Sequence, residues 1–228
     1  MRKPTAVIVT LLLITACLLL RLFPAWSLVV DDGQPVRLMG NDAYYHLRHV
    51  LYTNEHFPEL NRYEAVSHYP LIERSDAVGL FQWTLALLAR VLALGEASAS
   101  VVWWVCLLVA PVFGTACLLP LYRFAHLSMN QRLALWVCFL YVLSPGMALL
   151  KTQLGFCDHH VFEMFFGLLA IAAAARLSSS PTKHQRTVWR SSLYAAMPLS
   201  FLVFTWLGAP IYWLLISMAF LAQLLVDF

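Results

Sequence analysis

Residues 154–163 read Leu154-Gly155-Phe156-Cys157-Asp158-His159-His160-Val161-Phe162-Glu163. An apolar stretch ends near Leu150 and another begins at Val161, so an aspartate, two histidines and a glutamate stand at the mouth of a membrane helix. Ionisable groups in that position cost on the order of 3 kcal/mol each when they meet lipid unpaired. Asp158 could simply cap the following helix, its carboxylate accepting from orphan N–H groups at the positive end of the dipole. A second polar cluster far upstream, Gly40-Asn41-Asp42-Ala43-Tyr44-Tyr45-His46-Leu47-Arg48, offers it another use. The two clusters can share a site only if topology puts them on one face of the membrane.

Composition sets the class. With 61% hydrophobic and only 12% charged residues, and a mean hydropathy of +0.72, the 228-residue chain is an all-α polytopic membrane protein rather than a soluble domain. The net charge of +3 points to no nucleic-acid partner. Cys17, Cys106, Cys117 and Cys138 lie in apolar runs, where cysteine behaves as a small buried hydrophobe, and no Cys/His zinc spacing exists. No A-x-A pattern follows the first apolar run, which therefore reads as a retained span.

Arg2 and Lys3 precede that run, Ala6 to Val30, and put the N-terminus in the cytoplasm by the positive-inside rule. Arg21, near its outer end, is expected to snorkel to the interface. From Asp31 to Asp76 acids and aromatics accumulate, and residues 31–98 read as a long, ordered external loop. Residues 77–94 are apolar but short for a span and interrupted by Gln82 and Arg90. If they do not cross, Arg123, Arg132, Arg176, Lys183, Arg186 and Arg190 all join Arg2 and Lys3 on the cytoplasmic side, so 77–94 is taken as an interfacial or re-entrant helix. Further spans follow at about 99–122, 133–150, 161–175, 193–207 and 211–226, making about six in a single transmembrane domain over 1–228. This parity leaves Asp42 and Asp158 on the same external or periplasmic face of an inner or plasma membrane.

Two carboxylates brought together repel unless a cation sits between them. Asp42, Asp158 and a neutral His160 imidazole offer hard oxygen and borderline nitrogen donors, a mixture that suits Mn²⁺ well and Mg²⁺ acceptably. In an extended segment Asp158 and His160 point the same way while His159 turns elsewhere, which requires the helix to begin at or after His160. Glu163 then lies on the face of His160 and can orient its imidazole. Tyr44 and Tyr45 read most simply as headgroup anchors.

The motif Gly40-Asn41-Asp42-Ala43-Tyr44-Tyr45-His46, the run Arg21-Leu22-Phe23, Gly155-Phe156-Cys157-Asp158-His159-His160 and Thr205-Trp206-Leu207-Gly208-Ala209-Pro210 together resemble the oligosaccharyltransferase catalytic subunit, in its single-chain archaeal and bacterial form. The resemblance covers nearly the whole chain, but only the N-terminal part of such an enzyme. It implies a GT-C-type fold and transfer of a glycan from a lipid-linked polyprenyl or dolichyl diphosphate to the amide nitrogen of an acceptor-protein asparagine in N-x-[ST]. It implies that Asp42 holds metal and engages the acceptor amide, that Asp158 and His160 are metal ligands, and that His159 and His68 approach the donor phosphates. A further acidic residue from a later external loop, and a C-terminal globular domain with a Trp-Trp-Asp motif, belong to the family pattern and are not found within these residues. Trp103-Trp104 is followed by Val105 and is no substitute. A fragment, a chain completed by a second one, and a shortened non-catalytic relative are the corresponding expectations. Another GT-C transferase using a polyprenyl-phosphate sugar is the alternative, although its usual acidic pair is here Asn41-Asp42.

Overall fold

The computed structural model describes residues 3–64, 73–74, 79–178 and 185–227. Helix α1 (Lys3–Val29) runs through Pro24 into a two-residue hairpin, β1 (Val30–Asp31) against β2 (Gln34–Pro35). Asp32 and Gly33 both take positive φ, the pair of left-handed residues that a tight hairpin turn requires. Next come α2 (Asn41–Glu55), a second short antiparallel pair of β3 (Tyr63–Glu64) and β4 (Glu73–Arg74), and α3 (Leu80–Ala93). Then follow α4 (Ala99–Ala116), α5 (Leu118–Ser128), α6 (Gln131–Leu143), the single turn α7 (Met147–Leu150), α8 (His160–Ser178), α9 (Gln185–Val203) and α10 (Pro210–Asp227).

Among the described residues, three stretches are long and apolar enough to cross a membrane: Thr5–Val29, Ala99–Ser128, which unites α4 and α5, and His160–Ser178. They coincide with the first, second and fourth expected spans. The other expected spans appear as shorter apolar helices, Gln131–Leu143, Ser192–Val203 and Pro210–Gln223. The third is cut short because Ser144-Pro145-Gly146 ends α6, with Gly146 at φ +96°. Helices α6 and α4 start at side-chain caps: Asn130 Oδ1 accepts from the N–H groups of Arg132 and Leu133, and Ser98 Oγ from Val101.

Helix α3 has 14 residues, about 21 Å at 1.5 Å per residue, against a hydrocarbon core of about 30 Å. Its two polar interruptions both reach towards α2. Gln82 meets His46, and Arg90 Nη1 donates to the Asn54 carbonyl (2.6 Å) with its guanidinium over Phe57. Asn54 in turn exchanges hydrogen bonds with both backbone groups of Ala97, fixing the turn into α4. The main core joins α2, α3, α4, the start of α8 and the C-terminal end of α1, with Phe81, Leu85, Val102, Leu107 and Phe162 fully buried.

Arg21 does not snorkel. It is 0% exposed: Nε donates to Thr152 Oγ1 (2.9 Å), Nη1 donates to the Cys17 carbonyl (3.2 Å), and the guanidinium lies 5.1 Å over the Tyr141 ring. A partner from a distant loop was available, and inward hydrogen bonding replaced hydration. The passage exists because residue 114 is glycine; a Cβ there would stand 2.5 Å from Thr152 Cβ and 2.8 Å from Arg21 Nε. A separate apolar cleft of about 350 Å³ lies between α1, α4, α5 and α6, lined among others by Leu13, Val112, Leu119 and Cys138.

Candidate metal centre

The loop from Thr152 to His159 is sewn to three other parts of the chain. Leu154 N donates to the Arg21 carbonyl (2.9 Å), Gly155 N to the Leu107 carbonyl (3.1 Å), and Met39 N to the Gly155 carbonyl (2.9 Å). Leu107 is free to accept because the residue four places on is Pro111, which has no N–H to offer. Gly155 takes φ +89°, and a Cβ there would meet Val29 Cγ1 at 3.0 Å, so glycine permits both the turn and the approach. The Met39 bond brings the segment entering α2 against the loop, and the two polar clusters of the sequence thereby converge.

Helix α8 begins at His160, where the extended-segment argument needed it to begin at the earliest. The residues before it nevertheless form a turn, with Val161 N donating to the Asp158 carbonyl, and His159 stays with the aspartate instead of turning elsewhere. Asp158 is 2% exposed. His159 Nδ1 lies 3.1 Å and His46 Nε2 3.7 Å from its Oδ1; Lys151 Nζ lies 3.2 Å and His160 Nε2 3.8 Å from its Oδ2. Its bond from the His160 N–H is long, 3.4 Å, so capping is the lesser part of its work. Glu163 Oε2 sits 2.8 Å from His160 Nδ1, the orienting contact expected from the sequence. Burial pushes the Asp158 carboxyl up, but hydrogen bonds from His159 and His46 and the charge of His160 together hold it well below the ordinary carboxylate range. Burial keeps His46 below the ordinary histidine value and therefore neutral, against the pull of Asp158.

Among the described residues, His46, Asp158 and His159 each present a ligand atom within 4.8 Å of the others. Asp42 is not in that group. It is exposed in the first turn of α2, and His46, one helical turn further on the same face, makes the contact with Asp158. His68 lies outside the described residues. His46, Gln82 and Lys151 are the members that sequence reasoning missed. Two signals pointed to them: His46 follows Asp42 by four in a helix, and Gln82 is a polar residue on an apolar one. A carboxylate with imidazoles on either oxygen, and a buried His159 Nε2 without a partner, fit a borderline divalent ion.

The fold and the cluster define an all-α membrane protein that gathers side chains able to hold an ion where α2 meets the loop before α8. Residues 9–228 match the family model described as oligosaccharyl transferase STT3, N-terminal, and the chain belongs to that family. It is 30% identical over 185 residues to the dolichyl-monophosphooligosaccharide–protein glycotransferase AglB of Haloferax volcanii, a match covering 80% of this chain and 17% of the relative. The oligosaccharyltransferase AglB of Archaeoglobus fulgidus, in complex with an inhibitory peptide and a dolichol-phosphate, superposes with a TM-score of 0.82 at 21% identity. That match covers 92% of this chain and 25% of that one. The oligosaccharyltransferase of the same organism in complex with Zn and sulfate gives 0.79 at 22% identity, over 90% and 26%. The chain thus spans well under half the length of the relatives it matches.

Proposed function

We propose that residues 1–228 form one transmembrane unit of a metal-dependent oligosaccharyltransferase, which transfers glycan from a lipid-phosphate donor to an acceptor asparagine. The observation that carries this reading is the convergence of His46 with Asp158, His159 and His160, a segment more than a hundred residues further along the chain. The N-terminus is cytoplasmic, residues 31–98 form the first external loop, α3 lies at the interface, and the site faces outward. Dolichol-phosphate and peptide bound to the Archaeoglobus enzyme support a lipid donor and a polypeptide acceptor. The Haloferax relative is named for a monophosphate-linked donor, so the diphosphate expected from the sequence is one arm of the test.

In this reading Asp158 and His160 hold the ion, Mn²⁺ or Mg²⁺, with His46 or His159 completing the nitrogen set and Asp42 reaching in from the next turn of α2. When bound, the ion neutralises charge on the departing phosphate oxygens. Asp42, exposed beside the cluster, accepts hydrogen bonds from the acceptor carboxamide, a poor nucleophile that needs such help. Lys151 and His159, and His68 by the family resemblance, would approach the donor phosphates. The bond from sugar C1 to phosphate oxygen breaks as the bond to the asparagine nitrogen forms, and the amide proton leaves to a carboxylate. Membrane vesicles holding the chain, supplied with dolichyl mono- or diphosphate-linked glycan, an Asn-x-Thr peptide and Mn²⁺, should yield a glycopeptide by mass, and Asp158→Ala should not. Mn²⁺ binding without transfer would assign the missing step to a second chain, and absence of Mn²⁺ binding would end the reading.

A further inference from the structure

Gln82 is 2% exposed on a helix that is otherwise apolar at its buried positions Phe81, Leu85, Ala86 and Ala89. Among the described residues its carboxamide meets His46 Nδ1 at 2.9 Å, and its Oε1 is buried without a partner. The His46 ring is held edge-on by Phe81 at 5.0 Å and points its other nitrogen, Nε2, at Asp158 and at His159 Nδ1, 3.4 Å away. A buried carboxamide with an unsatisfied oxygen is costly, and an apolar residue would pack here without that cost. We infer that Gln82 is a positioning residue, which holds the His46 imidazole so that Nε2 serves, beside Asp158, as a nitrogen donor to the ion of the proposed site; this rests on the metal-dependent reading above.

The chemistry gives Gln82 two settings. An imidazole that donates a lone pair from Nε2 must carry its proton on Nδ1, and that N–H needs an acceptor. Gln82 supplies one when its amide turns, because the two ends of a carboxamide have the same shape. In the other setting the amide N–H₂ donates to Nδ1, and the Nε2–H of His46 faces the Asp158 carboxylate. A glutamine therefore serves the ion-bound and ion-free ring alike, whereas a glutamate would favour the donor tautomer permanently. The inference makes α3, which carries none of the residues first assigned to the site, part of it.

Mn²⁺ titration of the purified 228-residue chain in detergent, read by the loss of the free-ion electron paramagnetic resonance signal, tests this. Asp158→Asn should abolish binding. Gln82→Leu should weaken it about tenfold or more, as loss of a ligand-orienting partner does elsewhere, while Gln82→Glu should bind as tightly as the parent or more so. Pulsed measurements on bound Mn²⁺ should show nitrogen coupling that His46→Gln removes in part. Parent-like affinity in Gln82→Leu, equal loss in the Leu and Glu variants, or nitrogen coupling unchanged in His46→Gln would overturn the inference and leave the metal reading standing. Binding unaffected by Asp158→Asn would overturn both.

Discussion

Among the described residues, Asp158 and Arg21 are both buried, and they are treated in opposite ways. Asp158 is ringed by four basic side chains, Lys151, His159, His46 and His160, at 3.1–3.8 Å. Arg21, only six residues from it by way of Thr152, has neutral partners: a hydroxyl, a carbonyl, a thiol and an aromatic face, with Nη2 left over. The ring around Asp158 holds more positive and proton-donating capacity than one carboxylate needs, and any member can be exchanged for an ion. The groups around Arg21 are fixed dipoles with nothing to exchange. Asp158 lies at the centre of the proposed site; Arg21 is a pin that holds the loop bearing it.

That contrast predicts separable failures. Asp158→Ala should cost at least about 100-fold in Mn²⁺ affinity and abolish any transfer, since it removes the anion to which every other member is directed. Isothermal titration of the detergent-solubilised chain reads the first quantity. Arg21→Ala should cost about 2–5 kcal/mol of stability, because a cavity opens beneath Gly114 and the Thr152 tie is lost. Arg21→Met, which keeps the stem and removes a charge that is expensive to bury, should cost far less. Equal melting temperatures for the two variants would show that the packing of the aliphatic stem is immaterial and that Arg21 does not pin the loop by filling space. Gly114→Val should destabilise by about 1–3 kcal/mol or more by driving Arg21 and Thr152 apart.

Much of the site was legible in the sequence, for reasons that differ by residue. Asp158, His159 and His160 stood out because charge at a span's entrance has few excuses, and Glu163 followed from helical spacing alone. The helical membrane architecture was legible in hydropathy, and the family in four ordered motifs. Arg21 was misread because a basic residue near a span's end looks the same whether it snorkels or pairs inward; the Thr152 hydroxyl that decided it lies 131 residues away. His46 was quoted but passed over for Asp42, since one-dimensional spacing cannot say which turn of α2 faces the later loop. Gln82 showed only as a polar residue on an apolar helix and Lys151 not at all, because each owes its place beside Asp158 to tertiary contact.

The comparison also carries a pH signature. The Asp158 carboxyl sits well below its unfolded value, so the folded state binds fewer protons there than the unfolded chain. Its contribution to stability is complete above about pH 4, the unfolded carboxylate value, and is lost progressively as pH falls below it. Thermal unfolding in EDTA should therefore soften below that pH in the parent, and the softening should shrink in Asp158→Asn. A slope unchanged in that variant would assign acid sensitivity to other carboxylates.

The smallest effect expected is also the sharpest test of exchangeability. Lys151 Nζ lies 3.2 Å from Asp158 Oδ2 and 5.5 Å from the Phe156 ring centroid, with its side chain 27% exposed. It places a positive charge against the carboxylate on the side of Oδ2, so an ion binding at the proposed site is expected to displace it. Partial exposure screens the pair, so its net worth is about 1 kcal/mol, or roughly a fivefold change in an equilibrium. Lys151→Met should then bind Mn²⁺ about three- to tenfold more tightly than the parent while melting lower in EDTA, since the same carboxylate loses its resident cation. Weaker binding in Lys151→Met would show that the ammonium assists the ion instead of standing in for it, and the ring around Asp158 would then be a fixed cage like that of Arg21.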